Sequence, residues 1–212
     1  MKVTVWGGAG FLGSHVCDAL SEEGYEVTIA DINQSQWKKE GQHMLKANLL
    51  DIEAVFESVK GADYVFNFAG IADIPEANSA PLRTSEINIM GNLHLLEACL
   101  KEKVKRYIFA SSLYVYSNSG GFYRCSKQAC EGYIEEYNRQ FGLTYTVLRY
   151  GSLYGTRTNE QNAIYRFIKQ ALTEKTISYY GSPNALREYI HAEDAARICC
   201  KISTRIYQFS YK

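Results

Sequence analysis

Hydrophobic and polar positions along the chain switch repeatedly between a short apolar run and a helical period. Lys2–Trp6 predicts a buried strand, and Phe11–Glu23 predicts a helix with Leu12, Val16, Ala19 and Leu20 on one face. Strands follow at Glu26–Ala30 and His43–Lys46, then a helix at Ile52–Val59 and a strand at Tyr64–Asn67. Ser85–Lys101 predicts one long helix bearing Ile89, Leu93, Leu96 and Leu100. Arg106–Ala110 predicts a strand, Tyr123–Phe141 a helix and Thr144–Arg149 a further strand. Gly61, Gly142 and the Ser117–Gly121 cluster mark turns between them. Such alternation predicts a doubly wound α/β architecture, a parallel sheet with helices on both faces.

The rhythm changes after Arg149. A helix is expected over Asn162–Leu172, a strand over Thr176–Tyr180, then the segment Arg187–His191 and a short helix from Glu193. Ser203–Lys212 carries neither period. The expected division is a first domain over residues 1–150 and a partial second region over 151–212.

Composition narrows the function classes. A chain of 212 residues that is 46% hydrophobic and 22% charged has the make-up of a globular domain, not of a disordered or fibrous chain. Lys and Arg total 23, as do Asp and Glu, so the basic surplus of a nucleic-acid binder is missing. No apolar run approaches the roughly 20 residues of a membrane span, and Met1–Trp6 leads into a glycine loop without a signal-peptide pattern. A cytoplasmic location without membrane contact is expected. The six cysteines show no CxxC pairing and no histidine at metal-ligand spacing, so they read as reduced structural thiols, Cys199-Cys200 included, and no metal site is expected. His15 and His191 read as packing residues. For His94, a partner-facing surface and a solvent face are equally open.

Two constellations carry chemistry. The first is Gly7-Gly8-Ala9-Gly10-Phe11-Leu12-Gly13, between the first strand and the first helix. Gly8, Gly10 and Gly13 satisfy GxGxxG, while Gly7, Gly10 and Gly13 satisfy GxxGxxG. Either frame gives a tight turn, close backbone approach to a pyrophosphate and a helix N-terminus aimed at it. Asp31 closes the second strand 18 residues after Gly13. A carboxylate there accepts both ribose hydroxyls of an adenosine and repels a 2′-phosphate, which favours NAD over NADP. The second constellation is Tyr123-x-x-x-Lys127, whose spacing puts both side chains on one helix face. An ammonium beside a phenol is expected to lower its pKa, so that the pair exchanges a proton with a substrate hydroxyl or carbonyl. Ser111-Ser112 follows the strand Arg106–Ala110, at the edge where a cofactor crevice should lie.

Together, Gly7/Gly10/Gly13, Asp31, Asn67-Phe68-Ala69-Gly70, Asn88, Ser112, Tyr123/Lys127 and Leu148–Gly155 resemble the extended short-chain dehydrogenases/reductases, and within them the NAD-dependent nucleotide-sugar epimerases and dehydratases. The resemblance implies a Rossmann-type sheet with a small substrate lobe, left incomplete here because family chains usually continue well beyond the Arg187–Ala196 motif. On it, the ending Thr204–Lys212 suggests a shortened or frame-disrupted member with an opened sugar site.

The resemblance also assigns roles. Gly7, Gly10, Phe11, Leu12 and Gly13 would line the pyrophosphate, and Asp31 would hold the adenosine ribose. Asn48 and Leu49 would lie near the adenine, Asn48 replacing a usual acidic residue. Phe68, Ala69 and Gly70 would pass under the cofactor, with Asn88 near the nicotinamide. Ser112 would bind the reacting sugar hydroxyl, Tyr123 would be the acid/base and Lys127 would hold the nicotinamide ribose. Ser152, where many relatives have Asn, and Arg187 would meet the substrate, Arg187 at its diphosphate. A helix-to-helix homodimer face would come from Ser85–Lys101 and Tyr123–Phe141, with Leu93, Leu96, Leu100, Tyr133 and Tyr137. Dehydratases of the family carry an Asp-Glu pair after the Ser/Thr position, where this chain has Leu113-Tyr114. The expected function is therefore an NAD-dependent nucleotide-sugar epimerase, in keeping with polysaccharide precursor synthesis. A reductase or dehydrogenase that releases NADH, and a truncated NAD-binding protein of little activity, remain the alternatives.

Overall fold

A computed structural model describes residues 1–182 and 184–204, without the side chains of residues 203 and 204. The unpatterned stretch 205–212 lies outside the described residues. Six parallel strands form the main sheet: β1 (Lys2–Trp6), β2 (Glu26–Asp31), β3 (His43–Lys46), β4 (Tyr64–Asn67), β5 (Arg106–Ser112) and β6 (Tyr145–Tyr150). Their spatial order is β3-β2-β1-β4-β5-β6, so the winding reverses between β1 and β4. A ligand crevice is expected outside the carboxyl ends of strands at such a switch point.

Strand alternation feeds two cores, one on each face. Val3 and Val5 of β1, Phe66 of β4 and Ile108 of β5 enter one cluster with Val16 and Leu20 of helix α1 (Phe11–Glu22). Trp6, Val65, Tyr107 and Phe109 enter the other, with Val55 of α2 (Ile52–Val59), Leu95 and Leu96 of α5 (Gly91–Lys101) and Ile134 of α6 (Gly121–Phe141). The doubly wound expectation is borne out.

Several local expectations are corrected. Between β4 and α5 lie two short helices, α3 (Ile74–Ser79) and α4 (Pro81–Ser85). Asp73 caps α3 by accepting from Glu76 N, and Pro75 and Pro81 sit in the first turns, where a missing N–H costs nothing. The single helix expected over Ser85–Lys101 instead ends α4 at Ser85 and runs through a π-helical turn, Glu86–Met90, into α5. Thr176–Tyr180 is not a strand: it has no regular secondary structure and pairs with neither sheet, so tertiary context overrides its apolar pattern. A second, two-stranded parallel sheet pairs β7 (Ser152–Tyr154) with β8 (Tyr189–His191). Helix α7 (Ala163–Thr173) is capped by Asn162, whose Oδ1 accepts from Ile164 N and Tyr165 N. The short helix from Glu193 is α8 (Ala192–Thr204), and Ala192, Ala195, Ala196, Cys199 and Cys200 join the α1 core. Cys199 and Cys200 are therefore packing residues, and none of the six cysteines is in a disulfide.

Candidate active site

The glycine loop closes so tightly that larger residues would collide with backbone. Gly7 has φ +75°, and a Cβ there would lie 2.6 Å from Ala69 N. A Cβ on Gly13 would lie 2.2 Å from Gly7 O. The GxxGxxG frame thus carries the strictest steric demand. Helix α1 begins at Gly10 with no side-chain cap and no acidic residue in its first turn, leaving its dipole open to an anion.

Beside this turn runs a groove of about 440 Å³ that brings together Gly7, Gly10, Asp31, Asn48, Leu49, Phe68, Ala69 and Gly70. Asp31 Oδ2 accepts from Ala9 N at 3.1 Å and Oδ1 from Asn33 N at 2.9 Å, so the carboxylate braces the loop while facing the groove. Asn48 is exposed and turns its Oδ1 back to Leu50 N at 3.0 Å. Phe11 faces an adjoining cleft, whereas Leu12 is buried in the α1 core and Gly13 packs on the loop. His94 is half-buried, and its Nδ1 meets Leu49 O at 2.8 Å, behind the groove. His15 is buried, its Nε2 3.1 Å from Thr156 O.

Asn88 sits in the π-turn, behind the groove wall. Its Oδ1 accepts from Ile71 N at 2.7 Å, while Nδ2 donates to Ile71 O at 3.0 Å and Ser126 Oγ at 2.9 Å. That side chain is spent on backbone and on α6, so it shapes the loop after β4. A π-turn is a frequent local device at functional sites.

A larger cavity, about 920 Å³, adjoins the groove, and Ala72 and Gln161 line both. It gathers Ser112, Tyr123, Ser152 and Arg187, together with Tyr114, Tyr179 and Tyr189. Tyr123 stands in the first turn of α6 and lines this cavity together with Ser112, at the end of β5. Burial holds its phenol above the ordinary tyrosine value, and the neighbouring Ser112 hydroxyl opposes that shift. The expectation of a lowered tyrosine pKa is corrected. Lys127 Nζ lies 5.8 Å from the Tyr123 ring centre and donates instead to Ala110 O at 2.7 Å. The ammonium is itself desolvated over the Phe109 ring, and burial pushes it down to about 8.

Below Lys127 lies a polar network that sequence reasoning missed. Glu131, one turn further along α6, accepts from Ser111 Oγ at 2.5 Å and takes a forked contact from Arg149, whose Nη2 is at 2.7 Å. Its signal was the continuation of the Tyr123, Lys127 spacing by four residues to Glu131. Among the described residues, no His, Cys, Asp and Glu group could hold a metal ion, and no helix is long and apolar enough to cross a membrane.

The family model described as "NAD dependent epimerase/dehydratase family" matches residues 3–209. The chain belongs to this family. A putative UDP-glucose 4-epimerase of Methanocaldococcus jannaschii is 28% identical, covering 92% of this chain and 71% of the relative. The crystal structure of UDP-glucose 4-epimerase from Thermotoga maritima, solved with UDP-glucose, is 30% identical with a TM-score of 0.86, covering 93% of this chain and 71% of that one. UDP-glucose 4-epimerase of Thermus thermophilus, solved as a complex with NAD, is 28% identical with a TM-score of 0.83, covering 95% and 74%.

Proposed function

We propose that this family member is an NAD-dependent epimerase of nucleotide sugars, with a UDP-sugar as the first substrate class to try. The observation that carries the reading is that Ser112 and Tyr123 line the same cavity, which adjoins the NAD groove. The glycine cradle, the uncapped α1 N-terminus and Asp31 fit NAD by steric and electrostatic complementarity. When bound, NAD supplies an acceptor that takes a hydride from the sugar carbon and returns it to the opposite face.

The chain's own residues supply binding and proton handling. Ser112 orients the reacting hydroxyl, and Tyr123, acting as the phenolate that the Lys127 cation favours against burial, takes its proton as the carbon is oxidised and gives it back on reduction. Lys127, buried beneath, presents a cation to the cofactor ribose side and limits the charge that can build up near Tyr123. Ser152 and Arg187 bind the nucleotide part, Arg187 by charge at the diphosphate. Elimination of water is disfavoured because Leu113 and Tyr114 stand where a dehydratase of this family needs a carboxylate pair.

A homodimer through α5 and α6 is part of this reading. Met90, Tyr133 and Phe141 leave apolar surface exposed on this side, and Leu93, Leu100 and Tyr137 are half-buried. Leu96 is withdrawn from that face, since it is fully buried in the core. Five of the six cysteines are buried without disulfides, in keeping with a reducing compartment such as the cytoplasm. The test is calorimetric titration with NAD, then with UDP-, GDP- and dTDP-sugars, on protein checked for carried-over cofactor. Binding of NAD and one sugar nucleotide is expected. Binding of NAD alone would reduce the chain to a dinucleotide-binding protein.

A further inference from the structure

A loop of the substrate region crosses over to the cofactor side. Residues 156–161 join β7 to α7 and stand across the first turns of α1. Helix α1 offers them Phe11, His15 and Asp18, at spacings of four and three that share one helix face. His15 Nε2 lies 3.1 Å from Thr156 O, and the Phe11 ring meets the imidazole edge-on with centroids 6.1 Å apart. Arg157 Nη2 donates to Asp18 Oδ2 at 2.6 Å, and its guanidinium lies 5.0 Å from the Trp37 ring centre. Past the other end of the loop, Asn162 Nδ2 donates to Leu153 O at 2.7 Å. The loop is pinned at both ends.

Joining β7 to α7 does not ask for such ties. Arg157 takes φ +66°, a left-handed conformation that a residue with a side chain seldom adopts without compensation. The Arg157 and Asp18 side chains are 16% and 11% exposed, so solvent screens the pair little. What the pinned loop does is close a cleft of about 520 Å³ over the start of α1. Gly10 and Phe11 line it from the helix, while Thr158, Asn159 and Gln161 bring a hydroxyl and two amides from the loop. Gly10 and Gln161 also line the NAD groove, so the two spaces meet at the uncapped helix N-terminus.

We propose that Arg157 is a positioning residue for the cofactor: paired with Asp18, it holds residues 156–161 as a strap across the N-terminus of α1, where Thr158, Asn159 and Gln161 meet the pyrophosphate of NAD. This rests on the reading that puts the pyrophosphate at that N-terminus. Hydroxyl and amide groups hydrogen-bond phosphate oxygens, and a strap fastened beforehand loses less freedom in doing so. Unlike the rest of the substrate region, which serves the sugar nucleotide, this loop acts on the cofactor. Retention suits a reaction that regenerates NAD in place, because one cofactor then serves successive turnovers.

The test is a double-mutant cycle read by NAD affinity, on the full chain freed of carried-over cofactor. NAD and adenosine are titrated into the unmodified protein, Arg157→Met, Asp18→Ala and the double variant. Arg157→Met is expected to weaken NAD roughly tenfold, the scale of a hydrogen bond to a charged group, chiefly through faster release. Adenosine, which fills the Asp31 end of the groove and stops short of the strap, should bind as before. Tm should move little in Arg157→Met, because Lys39 Nζ remains on Asp18 Oδ2 at 3.2 Å and the carboxylate keeps a partner. In the Asp18→Ala background the Arg157 change should cost less than about twofold, since the clasp is already open. If Asp18→Ala does not fold, Asp18→Asn takes its place in the cycle. Unchanged NAD affinity in Arg157→Met, an equal loss with and without Asp18, or a parallel loss of adenosine would overturn the proposal while leaving the cofactor reading intact. If NAD does not bind the unmodified protein, the cofactor reading falls and takes the inference with it.

Discussion

The two walls of the active-site cleft are built by different means. The cofactor wall is sheet and turn: β1, β4 and β5 are covered on both faces, and the groove is shaped by backbone that cannot move without displacing two cores. The substrate wall is nearly the reverse. Helix α7 has no buried residue, Leu172 is 69% exposed, and Tyr180 and Leu186 are each 98% exposed. Leu153 and Ile190 pack on the α1 core, and polar ties complete its attachment: Asn162 Nδ2 to Leu153 O at 2.7 Å, Ser152 N to Glu188 O at 2.9 Å, and Arg157 to Asp18 of α1 at 2.6 Å. The contrast teaches that substitutions on the cofactor side should register as stability and NAD affinity together. Substitutions on the substrate side should register as sugar-nucleotide affinity with little change in stability.

The sharpest effect should come at the seam between the walls. Tyr123→Phe is expected to lower turnover by about 10²–10⁴-fold, the usual weight of a general acid/base, while NAD affinity stays near its starting value. Steady-state rates and an NAD titration read the two quantities separately; equal turnover in the variant would remove Tyr123 from the chemistry. Gly13→Ala comes next. Its Cβ would meet Gly7 O at 2.2 Å, so the loop must open, at a cost on the order of 3 kcal/mol or more, with loss of NAD binding. A thermal melt with and without NAD checks both, and an unshifted melt would mean that the loop has slack.

A paired truncation compares the walls directly. Leu95→Ala, in the buried core, should cost about 2–5 kcal/mol by urea denaturation, whereas Leu172→Ala, on the exposed face of α7, should stay within about 0.5 kcal/mol. Similar losses at both sites would show that α7 is covered in solution. The smallest effect is a pH slope. Burial lowers the folded-state pKa of Lys127 to about 8, below its unfolded value, so between about pH 8 and pH 10 the unfolded chain binds more protons than the folded one. Stability should therefore gain a rising contribution from Lys127 across that window, and Lys127→Met should lose it. Urea midpoints of both proteins at the two ends of the window test this, since other buried groups are common to both.

The cofactor wall was also the more legible from sequence. Glycines at fixed offsets, Asp31 at a strand end and period-2 runs are local signals, and they located the groove because a turn's geometry is set by its own residues. Leu12, Gly13 and Asn88 were placed near the cofactor, but they support the groove from behind, a distinction that depends on packing. The substrate wall resisted because its form comes from long-range ties. The parallel pairing of Ser152–Tyr154 with Tyr189–His191 joins segments far apart in sequence, and nothing local announces it. For the same reason Tyr114 stood in the sequence only as a departure from a dehydratase pattern. Its ring contact with Tyr123 emerges once β5 and α6 are brought together. The lowered tyrosine pKa failed because spacing along a helix says nothing about desolvation, which here acts on Tyr123 and Lys127 alike.

On the proposed function, both walls serve one reversible oxidation, in which the sugar is inverted and NAD is regenerated. The direct measurement is to incubate the purified chain with NAD and the sugar nucleotide that binds it, following the product by NMR and NADH by absorbance. The ring epimer of the substrate is expected, without net NADH. An oxidised sugar accumulating in step with NADH would make the chain a dehydrogenase and contradict it.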